Sequence, residues 1–233
     1  MRPAAAETVQ KPSLAIVVPV GPGDTAWHGL LPQLKSVQAG EIALVLAADN
    51  TGEAVPLADP RVLVVLSAQG RARQLNAGAR STEAQWLWFL HADSRLESAT
   101  ILKLQALVAD DPDAIGYFNL RFLADGPRWT AINAFGAGIR SRYLGLPFGD
   151  QGFVMPRRIF ERLGGFDESL AGGEDHAMVW QARKLGIPLL ALHANLHTSA
   201  RKYSERGWWK TTREHLQLTW RQARRFSHAE SPR

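Results

Sequence analysis

Cysteine is absent from all 233 residues, which excludes disulfides, thiolate metal sites and cysteine nucleophiles. A reducing, cytoplasmic setting is the expectation. Long apolar runs are also absent: none approaches the ~20 residues a helix needs to cross a bilayer. The opening MRPAAAETVQKPS is too polar for a signal peptide, and residues 1–13 read as a disordered leader. Repeats and low-complexity linkers are missing, so one large domain is expected over residues 14–200.

Net charge is small in the body and concentrated at the end. The chain carries a net +5, yet residues 199–233 alone hold nine Lys/Arg against three Asp/Glu. A nucleic-acid binder would more often spread its basic groups over the folded body, so no nucleic-acid partner is expected. On a 100° wheel, 208–226 gathers Trp208, Trp209, Leu216, Trp220 and Phe226 on one side and Lys210, Arg213, Arg221, Arg224 and Arg225 on the other. Residues 201–233 thus read as a unit built around a basic amphipathic helix. It has three candidate roles: docking on its own domain, lying on the anionic inner face of a membrane, or contacting a second copy.

What is present is alternation. LAIVVPV (14–20), EIALVLAA (41–48), RVLVVLSA (61–68) and QWLWFLHAD (85–93) are continuous apolar runs, the pattern of strands buried on both faces. Helical stretches at 25–38, 70–80 and 98–109 separate them. Such βαβ spacing predicts an α/β fold, a Rossmann-like, mostly parallel sheet flanked by helices. Ligands in these sheets collect at the C-terminal edge of the strands. Further on, 115–123 alternates like a half-exposed strand, 127–143 is helical, and 174–185 is a second helix.

Five clusters carry candidate chemistry. Asp93 ends the fourth apolar run, where a carboxylate calls for a cation or caps the next helix. His91, two residues earlier, shares its strand face if the strand continues. In GRARQLNAGA, Arg71 and Arg73 open a helix against its dipole, which suits an anion or a merely solvated helix; Asn76 and Gly78 let a ligand or a strand approach. Glu174 and Asp175 follow Gly-Gly and open another helix, as caps or as an acid/base pair. FGDQG sets Asp150 and Gln151 in a tight turn suited to hydroxyl recognition, and also common in turns generally. LHANLHTSARKY brings His197, a candidate beside a diphosphate-bound metal. Separately, GPGDTA (21–26) matches a dinucleotide fingerprint, with Asp49 as the ribose-binding acid; that reading implies an NAD(P)-dependent oxidoreductase.

In this order the clusters resemble family 2 glycosyltransferases, of GT-A fold, over residues 14 to 200. IVVPV looks like the family's opening strand, FLHAD like its D-x-D strand end, FGDQGFVMPRRIFERLGGFDE like its acceptor-side segment, and GGEDHAMVWQARKLG like its ED helix. The set GRARQLNAGA, FLHADSRL, FGDQG and TSARK looks most like a small bacterial subgroup labelled arsenosugar-type transferases. The resemblance implies an inverting transfer from a nucleotide-sugar donor to an acceptor hydroxyl, on an acceptor that a membrane-bound tail would make lipid-linked. It makes Asp175 the general base, with Glu174 assisting. It gives Asp93, with His91 and His197, to Mn2+ or Mg2+. Pro19, Asp49, Arg71, Arg73, Asn76, Gly78, Asp150 and Gln151 become substrate-binding positions. Two departures stand out: His91 replaces the first acid of D-x-D, and LAADNTGE replaces an Asp-Asp-Gly-Ser-type turn. The second motivates an alternative, a non-catalytic nucleotide-sugar-binding module.

Overall fold

A computed structural model describes residues 13–48, 59–127, 129–143, 145–206 and the single residue 213. Asp49, most of the leader and the helix expected at 208–226 therefore fall outside the described residues, apart from Arg213.

Within them one eight-stranded sheet runs in the order β3-β2-β1-β4-β7-β6-β8-β5. Strands β1 (Leu14–Val20), β2 (Glu41–Ala47), β3 (Val62–Ser67) and β4 (Trp86–Phe89) pair in parallel. β7 (Val154–Pro156) is antiparallel to both β4 and β6 (Ile115–Phe122). β6 is parallel to β8 (Leu189–Thr198), and the short β5 (Arg95–Leu96) runs antiparallel to β8. The expected mostly parallel α/β sheet is what forms, with β7 as an antiparallel insertion.

The helices are α1 (Trp27–Leu34), α2 (Arg71–Arg80), α3 (Ser98–Asp110), α4 (Thr130–Tyr143), α5 (Arg157–Arg162), α6 (Glu174–Lys184) and α7 (Arg201–Arg206). They cover the two faces of the sheet. One core gathers Ile16, Leu44, Trp86 and Trp88 with α1 and α3; the other gathers Val17, Val45, Leu87 and Phe89 with α2, α5 and α6. Each central strand alternates its side chains between these cores, which is why its sequence reads as apolar throughout.

Three expectations need correction. RVLVVLSA was expected to be buried on both faces, but β3 closes the sheet beside β2 and leaves Leu63 and Leu66 exposed. The half-exposed pattern at 115–123 instead has its first four residues buried, because β6 lies inside the sheet between β7 and β8. The fourth run stops being strand at Phe89: Leu90 N–H still donates to Val17 O, and Ser94 N–H then donates to His91 O. Residues 91–94 form a turn, so strand alternation does not govern where His91 and Asp93 point.

α2 can lie close on the sheet because Gly78 faces it. A Cβ there would come within 2.4 Å of Val17 Cγ1 and 2.8 Å of Val45 Cγ2. Of the two openings considered for this glycine, strand approach is the one used, and Gly78 is withdrawn from the substrate-binding positions. No helix among the described residues is long and apolar enough to cross a membrane.

Candidate active site

The chain winds β1-β2-β3 to one side of β1 and then places β4 on the other. This is a topological switch point, where the strand ends diverge and leave a crevice. A cavity of about 390 Å³ sits there, bordered by Pro19 near the end of β1 and Gly21 just after it, Gly70 and Arg71 of the α2 start, and His91 and Asp93. Gln74 closes its floor, with Nε2 donating to Val20 O at 2.7 Å and Val45 O at 2.9 Å. The sequence reading missed Gln74, whose partners lie 54 and 29 residues away.

A second cavity, of about 520 Å³, continues from the α2 start to the α6 start and is bordered by Arg71, Arg73, Asp150, Glu174 and Asp175. Gly70, Arg71 and His91 border both spaces. Among the described residues no side chain caps the N-terminus of α2, so its first N–H groups and its dipole favour an anion there.

Arg71 ties the parts together. Its Nε lies 3.2 Å from Glu174 Oε1, and its Nη2 contacts His91 Nε2. Burial pushes the Glu174 carboxyl above its ordinary range, against the pull of Arg71. Asp175 goes the other way. It is held down to about 2: burial opposes this, but His176 and Arg71 and two backbone N–H groups outweigh it. Those donors are Gly149 N at 2.7 Å to Oδ2 and His176 N at 2.9 Å to Oδ1.

Phe148 lies between His176, at a ring separation of 3.5 Å, and the Arg140 guanidinium, 3.1 Å from its ring centre. Burial lowers Arg140 to about 10, while Asp150 and Asp175 pull it up. Arg140 Nη2 and Asp150 Oδ1 are both buried without a hydrogen-bond partner among the described residues. Buried polar atoms in that condition are rare, and a ligand is one physical reason for them. Nothing in the sequence of α4 flagged Arg140.

Asp93 is not a helix cap. Thr198 Oγ1 donates to its Oδ1 at 3.0 Å and Ser199 N–H to its Oδ2 at 3.2 Å. The cap of α3 is Glu97, in a capping box with Thr100. His197 contacts that same Glu97 and borders neither cavity; it pairs with Arg95 across β5 and β8, so it does not join Asp93. Two further positions serve the scaffold. Asn76 Nδ2 donates to Phe166 O and Glu168 Oε1, and its Oδ1 accepts from Phe166 N–H. Gln151 Oε1 accepts from Ser141 Oγ and Phe148 N–H, and its Nε2 donates to Phe118 O. Neither is left to face a ligand, because their amide groups are spent holding loops to the core.

No group of three or more His, Asp or Glu among the described residues is arranged to hold a metal ion. The Nε2 of His91 faces the guanidinium of Arg71, so that nitrogen is not turned to a cation. A hard divalent ion in the smaller cavity would have to take most of its oxygen ligands from a bound ligand's phosphates; Asp93 and Asp24 are the carboxylates that border that cavity.

The family model described as glycosyl transferase family 2 matches residues 43–164. Among solved structures, GalNAc-T7 with UDP, GalNAc and Mn2+ superposes with a TM-score of 0.62 at 14% identity, covering 82% of this chain and 44% of that one. S. aureus TarS (1–349) in complex with UDP-GlcNAc gives 0.61 at 12% identity, covering 80% and 58%. The chain thus spans about half the length of these structures. At such identities the likeness establishes the fold, which is GT-A. The comparison with curated proteins found no match.

Proposed function

We propose that this chain, which belongs to glycosyl transferase family 2, moves a sugar from a nucleoside-diphosphate sugar to an acceptor hydroxyl with inversion at the anomeric carbon. The observation that supports this most directly is that Arg71, the N-terminus of α2, Asp150 and Asp175 border one continuous space at the C-terminal edge of the sheet. Both structural neighbours hold a uridine nucleotide, so uridine diphosphate sugars are the first donors to test.

The donor's diphosphate lies along Gly70 and Arg71, where amide N–H groups and a guanidinium meet the charge that builds on the leaving group. Arg73, exposed at the same rim, adds to that field. Pro19 borders the nucleotide side. Asp93 would hold Mn2+ or Mg2+, which supplies Lewis-acid neutralisation of the diphosphate when bound. Asp150 Oδ1 accepts from a neighbouring hydroxyl of the acceptor, which leaves the reacting hydroxyl free to point its proton at Asp175.

Transfer then forms one bond and breaks another. The acceptor oxygen bonds to the anomeric carbon from the face opposite the diphosphate. The bond from that carbon to the phosphate oxygen breaks, and the nucleoside diphosphate leaves with the electron pair. The hydroxyl proton goes to the Asp175 carboxylate. A carboxyl held at about 2 is a weak base toward a free alcohol. Once the oxygen is bonded to the anomeric carbon it is an oxonium, far more acidic than Asp175, so late proton transfer runs downhill. A positioned carboxylate of this kind contributes ~10²–10⁴-fold.

Asp175→Asn is the test. It should keep donor affinity in a thermal-shift panel of nucleoside diphosphates, with and without Mn2+, and lose turnover on the donor that the panel selects. Retained turnover would remove the proposed base. If the wild-type chain binds a nucleotide sugar and never transfers or hydrolyses it, the binding-module reading takes over. The oxidoreductase reading is dropped. Residues 43–164 match a transferase family instead. The arsenosugar-type subgroup rests on motif order alone, and the donor panel addresses it too.

A further inference from the structure

Helix α4 is buried on one side only. Ala134, Ala137 and Ser141 face the core, where Tyr117 donates to Ser141 O and Ser141 donates to Gln151. The opposite side carries Ile132, Phe135, Ile139 and Tyr143, continued by Trp129 just before the first turn, each between 43% and 81% exposed. Their spacing makes one stripe along the helix, ~21 Å from end to end at 1.5 Å per residue. An apolar stripe of this size in water marks a contact surface. Here the ends are aromatic and the middle is mainly aliphatic and Phe, the composition of a helix lying in a membrane interface.

Charge selects the partner. Residues 127–144 contain three arginines and no acid, and residues 199–233 carry a net +6. The start of the second stretch meets the first in space: α7 opens it, and its Tyr203 hydrogen-bonds Asn133 of α4. A basic segment of this chain, or a second copy of α4, laid on the stripe would set like charges together. An anionic leaflet would neutralise both stretches at once.

The geometry points to the exposed face of α4 as a docking surface for an anionic lipid bilayer. The same helix carries Arg140, stacked on Phe148 of the cavity wall. Docking therefore sets the acceptor side of the cleft next to the lipid, and the acceptor class this implies is lipid-anchored. That last step alone rests on the transferase reading.

The chain has no cysteine, so Phe135→Cys gives a single labelling site on the stripe. An environment-sensitive dye there should shift to the blue with phosphatidylglycerol-containing vesicles and stay put with pure phosphatidylcholine. In co-sedimentation, Trp129→Ser/Phe135→Ser/Tyr143→Ser should bind the anionic vesicles at least ten-fold more weakly than wild type, with no fall in Tm. Equal binding by that variant, or no sedimentation of the wild-type chain, overturns the proposal. So does a chain ending at Arg206 in which the dye becomes more exposed without lipid, since the tail then covers the stripe. A concentration-dependent dimer abolished by the triple variant overturns it in favour of a second copy. None of these readouts uses a donor, so the surface and the transferase reading fail separately.

Discussion

Arg71 Nε stands 3.2 Å from Glu174 Oε1, joining the first turn of α2 to the first turn of α6. Two helix N-termini are thereby tied to each other beside one cavity. The pair has a second effect. Glu174 is almost fully buried, and a buried carboxylate without its cation is costly.

Arg71→Ala should therefore act twice. We expect donor affinity to fall at least ten-fold in calorimetric titration, and stability to fall by about 1–3 kcal/mol, less than for a fully buried pair because Arg71 is partly exposed. Arg71→Lys should recover much of the affinity and little of the stability, since one ammonium cannot serve both Glu174 and His91. Unchanged donor affinity in Arg71→Ala would place the diphosphate elsewhere.

Thr198→Val removes the 3.0 Å hydrogen bond that orients Asp93. The stability cost should be about 1 kcal/mol. The more telling outcome is in the metal: the Mn2+ concentration giving half-maximal donor affinity should rise several-fold, with the metal-free affinity unchanged. A metal response identical to wild type would show that Asp93 does not meet the ion.

The pH dependence follows from the opposed carboxyls. Asp175 is depressed from 3.8 to about 2, so its contribution to stability is present above its unfolded value and is lost as pH falls toward 2. Glu174 is raised, so its contribution is greatest below its unfolded value and is lost as pH rises through its folded one. Asp175→Asn should thus lower Tm most near neutral pH, by an amount worth about 2 kcal/mol, and the gap should narrow only below about pH 4, in scans from pH 6 to pH 2. A gap independent of pH would mean the Asp175 charge is not stabilised by its neighbours.

Gly78→Ala tests the packing of α2. The new methyl would overlap Val17 and Val45, two β-branched side chains with little freedom to turn away. Overpacking costs about 1–3 kcal/mol, offset in part by roughly 1 kcal/mol of helix propensity. Chemical denaturation should show a net loss, while nucleotide affinity measured on the folded protein stays as in wild type.

Much of the fold was legible in the sequence because burial on both faces writes itself locally. LAIVVPV and EIALVLAA can hardly be anything but central strands, and β1 and β2 occupy almost those spans. RVLVVLSA reads the same way, yet its β3 is exposed, because strand order is a long-range property. The site was legible in part. Asp150, Glu174, Asp175, Arg71 and Arg73 do border one cavity, flagged by carboxylates after glycines and arginines at a helix start. Asn76 and Gln151 looked equally suitable, but their partners, Phe166, Phe118 and Ser141, cannot be seen from their neighbours in the chain.

By itself, then, the sequence settled the class of fold, the order of the first four strands and the helices between them, and which short clusters carry ionisable groups near strand ends. Periodicity and local composition suffice for that, since each depends on residues a few positions apart. Only the tertiary structure decided that Asp93 answers to Thr198 and Ser199, that His91 turns to Arg71, that His197 turns away to Glu97, and that α4 keeps an apolar face in water. Those outcomes depend on which strands end side by side, and partners about 20 to 106 residues apart meet only after the sheet has closed.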